Sequence, residues 1–138
     1  RLPSAIHPTN STAIYGRSLY EAEEDMNALE QDLVKQLTAI PNVLWWHRNI
    51  ARHGFAINGY FNHYPDIMIM TKSGKIILAE TKGEHLKNDD SQEKIELGAA
   101  WRNAAGNQYR YYMVFQNEEN LPHGAVSMGQ FVETVEAL

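Results

Sequence analysis

The feature that most constrains this chain is a pair of β-rich runs, His63 to Met70 and Lys75 to Lys82, joined by Thr71-Lys72-Ser73-Gly74. Both runs are apolar and the segment between them is made of turn formers, the pattern of two adjacent strands. A three-residue hairpin loop favours a type I turn closed by a glycine in the left-handed region, and Gly74 stands at that position. Residue 71 then pairs with residue 75. Paired positions in an antiparallel hairpin keep a constant sum, so Asp66 falls opposite Glu80 on one face, with Cβ atoms roughly 4.5 to 5.5 Å apart. Lys82 projects to the same face, and the Thr81 side chain projects away from it.

Like charges directly opposite one another destabilise a sheet, so this register calls for a cation between the two acids. Mg²⁺ takes oxygen ligands and commonly uses one or two carboxylates completed by phosphate and water. Asp66, Glu80 and the Thr81 carbonyl are the candidate metal ligands, with Mn²⁺ as a substitute ion. Lys82 would orient or deprotonate an attacking water, or stabilise charge developing on a phosphate. The plain alternative is a solvated hairpin face on which Lys82 neutralises its neighbours. Against it, Ile67, Ile69, Ile76, Ile77 and Leu78 make both strands strongly apolar, so the charges interrupt strands of buried type, where unpaired charge is rare.

The rest of the chain reads as one α/β domain, and 138 residues suffice to bury one core of ordinary size. Residues 1–18 hold Pro3, Pro8, Asn10, Ser11 and Gly16 without a sustained period and read as a tail or linker ahead of a domain over 19–138. Met26, Leu29, Leu33, Leu37 and Ile40 recur at spacings of three and four and predict a helix ending before Pro41. Val43 to His47 reads as a strand, Arg52 to Asn62 as a loop or irregular strand pair, and Tyr109 to Gln116 as another strand. A second helix is predicted from Asp89-Asp90-Ser91, with Glu93 closing a capping box on Asp90, through Ile95 and Trp101 to near Gly106. A short terminal helix follows Ser127 or Met128. The order helix, three strands, helix, strand predicts a central mixed sheet flanked by helices. Trp45, Trp46 and Trp101 are expected to pack in the core.

Charge and composition bound the function. The formal charge of −5 argues against tight unaided binding to DNA, because non-specific affinity comes from Lys and Arg meeting phosphates. The acidity is uneven: Glu21, Glu23, Glu24, Asp25, Glu30 and Asp32 lie in one stretch without a base, where the first helix is predicted. The absence of cysteine excludes a disulfide framework, a thiol nucleophile and cysteine-held zinc. No apolar run approaches the roughly 20 residues that span a bilayer, and the start lacks the apolar stretch of a signal peptide. A soluble, cytoplasmic protein with no membrane partner is expected. No Gly-rich loop ending in Lys-Ser/Thr occurs, so these residues encode no ATP site.

Pro65-Asp66 at a strand start, followed by Glu80-Thr81-Lys82 on the next strand, resembles the PD-(D/E)xK, or restriction-endonuclease-like, nuclease superfamily. The longer stretches Trp45-Trp46-His47-Arg48-Asn49, Tyr64-Pro65-Asp66 and Ala79-Glu80-Thr81-Lys82-Gly83 are similar, more narrowly, to the C-terminal nuclease domain of type III restriction enzymes and related helicase-nuclease proteins. The likeness runs from about Leu19 to Gln116. It implies an αβββαβ core and a Mg²⁺-dependent deoxyribonuclease centred on Asp66, Glu80 and Lys82. It also implies a further acid on the first helix, for which Glu30 fits best ahead of Glu21, Glu23 and Glu24. A supplementary position on the second helix falls on Lys94, with Gln92 as the fallback. Surface roles for Glu30 and Lys94 stand as the ordinary alternative. His47 and Arg48 alternate across their strand, so one of them faces the site; Arg48 or Arg52 is a candidate for phosphate contact, and His47 is equally well read as packed and hydrogen-bonded.

The resemblance implies that the partners are DNA together with helicase/ATPase and methyltransferase modules in the same chain or complex, and a dimer for double-strand cleavage. Tethering to such modules supplies the effective concentration that an acidic domain lacks alone. Two other readings stay open on the residues alone: a degenerate nuclease fold acting as a DNA-binding or assembly module, and a metal-free hydrolase using Asp66 and Glu80 as paired acids.

Overall fold

The computed structural model describes residues 11–12, 23–24, 26–49, 54–58, 62–83 and 89–138. Its elements are β1 (Ser11–Thr12), β2 (Glu23–Glu24), α1 (Ala28–Thr38), β3 (Val43–Arg48), β4 (Ile57–Asn58), β5 (Asn62–His63), β6 (Ile67–Thr71), β7 (Ile76–Thr81), α2 (Asp89–Ala105), β8 (Tyr109–Phe115), β9 (Val126–Ser127) and α3 (Met128–Ala137). Five strands form one mixed sheet in the order β3-β6-β7-β8-β9, with β3, β6 and β7 successively antiparallel and β7, β8 and β9 parallel. The α/β class and the flanked mixed sheet agree with the sequence pattern.

The hairpin register is the one the turn predicts. Ile67 pairs with Ala79, Met68 with Leu78, Ile69 with Ile77 and Met70 with Ile76. Gly74 has φ of +87°, and the Thr71 N–H donates to the Lys75 carbonyl at 2.9 Å. Alternation then sorts the side chains. Ile67, Ile69, Ile77, Ala79 and Val114 join Leu33, Val34 and Leu37 of α1 and Phe131 and Val135 of α3 in the larger core cluster. On the opposite face Ile95 of α2 packs with Met113 and Phe115, against which Tyr111 and Leu121 lie. The parallel step from β7 to β8 requires a crossover, and α2 makes it.

Several details differ from expectation. Helix α1 begins only at Ala28, where Asn27 accepts the Glu30 N–H at 2.9 Å as an N-cap. Glu23 and Glu24 are therefore strand residues, paired with Thr12 and Ser11, and the acidic stretch is not one helical face. That ladder also draws Ser11 and Thr12 out of the expected tail; the remainder of residues 1–18 lies outside the described residues. Asp89 and Asp90 are already inside α2, which displaces the expected capping box. At α3 the box is real: Ser127 and Gln130 cap each other reciprocally. Of the three tryptophans only Trp46 is fully buried. Trp45 is half-buried beside the His47 ring, and Trp101 is half-buried with its edge contacts to Phe55 and Tyr109. Among the described residues no helix is long and apolar enough to cross a membrane.

Candidate active site

The site lies at the end of the sheet where β6 starts and β7 stops, so both faces of the sheet and α1 reach it. Asn27, Ala28, Leu29, Glu30, Asp66, Glu80, Thr81, Lys82 and Gly83 line an open pocket of about 480 Å³ there. The placement of Asp66 begins with Asn49. Its backbone N–H donates to the Asp66 carbonyl at 2.7 Å, and its side-chain amide donates to the Pro65 carbonyl at 2.8 Å and the Phe55 carbonyl at 2.7 Å. Asn49 is almost fully buried, so these bonds fix how the chain enters β6.

The Asp66 carboxylate is then held from the neighbouring strand. Its Oδ2 accepts the Thr81 backbone N–H at 2.9 Å and the Thr81 hydroxyl at 3.0 Å. Alternation alone predicts that the Thr81 side chain turns away from the acids. The expectation fails because Asp66 precedes the paired part of β6, where its side chain wraps the sheet end to meet Thr81. Asp66 Oδ1 takes no part in these bonds, and the residue lines the pocket.

Glu80 is the most deeply placed acid of the hairpin, with 6% of its surface exposed. Burial raises its carboxyl well above the ordinary range, the Asp66 charge and a hydrogen bond shared with Asp66 add to this, and the Lys94 and Lys82 ammonium groups act in the opposite sense. Two carboxyl groups this close need a proton or a cation between them. The inner oxygen of Glu80 faces a pair that sequence reasoning missed. His63 Nε2 lies 3.3 Å from Glu80 Oε2 and 2.7 Å from the Tyr111 hydroxyl. Burial, then Glu80 and Asp66, push the Tyr111 phenol well up, so Tyr111 stays a neutral hydroxyl. Their meeting across 48 positions had no sequence signal.

Glu30 enters from α1. Burial and the Asp66 charge push its carboxyl up to about 7, against the lowering effect of Arg48 and of the Asn27 cap. Arg48 Nε lies 2.7 Å from Glu30 Oε2 and its Nη1 lies 3.7 Å from Asp66 Oδ1. Arg48 is thus the member of the His47/Arg48 pair that faces the acids, and it is turned inward. His47 is buried, its Nδ1 lies 3.2 Å from the Arg48 carbonyl, and burial lowers its pKa. A packed neutral histidine fits that position better than a phosphate ligand. Lys82 lines the pocket beside Glu80, and Lys94 approaches Glu80 from α2. Arg52 lies outside the described residues.

The donor set fits a hard divalent cation. Asp66 and Glu80 are crowded carboxyl groups, burial disfavours the charge on Glu80, and the pocket they line is open to solvent. Among the described residues no three His, Cys, Asp or Glu side chains form a ready-made cage for an ion. Mg²⁺ does not demand one, because it binds through one or two carboxylates and keeps several waters. No family model, no curated protein and no solved structure matches this chain.

Proposed function

We propose that this chain is a restriction-endonuclease-like domain that hydrolyses DNA phosphodiester bonds with Mg²⁺, as the cleavage module of a larger restriction or helicase-nuclease assembly. The observation that carries the reading is the gathering of Glu30, Asp66, Glu80, Thr81 and Lys82 round one open pocket, from three separate segments. The larger elements also run in the order α1, β3, β6, β7, α2, β8, which suits the αβββαβ core that the motifs imply.

Asp66 and Glu80, with the Thr81 carbonyl, are the residues that would hold the ion. An ion held there would supply Lewis-acid stabilisation of the scissile phosphate and of the attacking water. Thr81 fixes Asp66 by two hydrogen bonds, so Oδ1 is presented without a search over rotamers. Lys82 supplies a cationic donor on the pocket wall for the charge that grows on the phosphoryl oxygens. Lys94 favours the ionised form of Glu80 from the far side, which a metal ligand requires.

The test is plasmid cleavage by the purified chain at low salt with Mg²⁺ or Mn²⁺ against EDTA. Metal-dependent nicking is expected, and Asp66→Ala and Lys82→Ala should each lower it by a factor on the order of 10² or more. Nicking that survives EDTA, or that is unchanged in Asp66→Ala, would sink the reading.

One observation favours a second reading, in which the same fold binds without cutting. Arg48 already supplies a positive charge to Glu30 and Asp66, as a retired site would need. That reading expects no metal binding, and calorimetry with Mn²⁺ separates the two.

A further inference from the structure

Arg48 reaches the acid cluster from the end of β3. It closes β3, and its side chain is 17% exposed. Its Nη1 donates to the Asn49 carbonyl at 2.6 Å and the Asp66 carbonyl at 3.1 Å, which pins the guanidinium over the start of β6. From there Nε reaches Glu30 Oε2 at 2.7 Å, and Nη1 comes to 3.7 Å from Asp66 Oδ1. The first contact is a buried ion pair whose geometry is not that of an aligned hydrogen bond. The second is too long for a hydrogen bond. Both contacts are ion pairs, so charge ties Arg48 to these two carboxyl groups.

Asp66 Oδ1 is also the oxygen that Thr81 does not bind. A guanidinium and a divalent ion cannot both sit close to it without repelling one another at short range. The Asn49 and Asp66 carbonyls that anchor Arg48 belong to the backbone and not to the acid side chains, so they hold the guanidinium independently of those carboxyl groups.

Resting on the metal reading above, we infer that Arg48 is a built-in counter-ion of the acid cluster, which keeps Glu30 and Asp66 together before an ion is loaded and competes with the divalent ion for Asp66. Arg48 is in this sense a positioning residue that sets metal affinity from within the fold. It makes the acid cluster tolerable in the folded chain, and it weakens binding of the ion.

The sign of the effect is the test. A residue that merely props the site weakens metal binding when removed, whereas a competing cation strengthens it. Mn²⁺ is titrated calorimetrically into the chelator-treated protein at neutral pH, in wild type, Arg48→Met and Arg48→Lys. Arg48→Met keeps the length of the stem and should bind Mn²⁺ about tenfold more tightly, or about 1.4 kcal/mol. Arg48→Lys keeps the charge and should stay near wild type. Arg48→Gln, which can still donate to the backbone carbonyls, replaces Arg48→Met if circular dichroism shows the latter unfolded, and the same gain is expected. Equal or weaker binding in the uncharged variants, beside measurable binding in wild type, overturns the role of Arg48 alone. No binding in wild type or any variant overturns the metal reading and this inference with it. Binding in Arg48→Met but not in wild type supports both.

Discussion

At the scale of single residues, the site depends on small numbers of well-placed bonds, and each has a measurable cost. Tyr111→Phe removes the hydroxyl 2.7 Å from His63 Nε2 and deprives a buried imidazole of one hydrogen-bond partner. Loss of about 0.5 to 1.5 kcal/mol is expected in urea denaturation, the net worth of one hydrogen bond, because Glu80 Oε2 remains 3.3 Å from the same nitrogen. An unchanged midpoint would mean that the hydroxyl does not support His63. Gly98 tests the same ring from the other side. A Cβ at Gly98 would overlap the Tyr111 ring, so Gly98→Ala should destabilise although alanine is the better helix former. Overpacking costs about 1 to 3 kcal/mol and outweighs the propensity gain of about 1 kcal/mol. A more stable Gly98→Ala protein would show that the ring can move aside. Neither contact was legible in the sequence, since nothing in a Gly or a Tyr announces a partner in a different element.

At the scale of elements, local pattern decided most of what was found. The period of Leu33 and Leu37 and the alternation of Ile67 and Ile69 place these side chains in the core cluster between α1 and the sheet. The turn at Gly74 set the hairpin register, and with it the approach of Asp66 to Glu80. The same local rules misplaced the start of α1, because Asn27 caps the helix and Glu23 and Glu24 before it form β2 instead. They also misdirected Thr81, because strict alternation holds within a paired strand and Asp66 sits just outside one. The capping box at α3 is a local feature with a local test. Ser127→Ala should cost about 0.5 to 2 kcal/mol in thermal or chemical denaturation. A shift within error would mean that packing of Phe131 and Val135 already fixes the helix start.

At the scale of the whole molecule, the acids give stability a pH dependence. Burial raises Glu30 to about 7 and raises Glu80 as well, so the folded chain holds protons at these groups more tightly than the unfolded chain. Their contribution is therefore full below the unfolded glutamate value near 4.5 and is lost, for Glu30, as pH rises through about 7. His47, buried and lowered, acts the other way at acid pH. The comparison that isolates Glu30 is denaturation of wild type and Glu30→Gln at pH 5 and pH 7.5 in EDTA. The variant should lose less stability between the two, and equal losses would show that Glu30 does not titrate in this window.

What the sequence by itself determined is the register that brings Asp66, Glu80 and Lys82 near one another, because turn chemistry and strand period are short-range and carry no information about distant segments. Only the tertiary structure decided that Arg48 points inward to Glu30 and Asp66, that Thr81 holds Asp66, and that His63 and Tyr111 meet behind Glu80. These contacts join α1, β3, β5 and β8 at one sheet end. Their partners are chosen by burial and charge at close range after the layers have packed, and no periodicity along the chain encodes that choice.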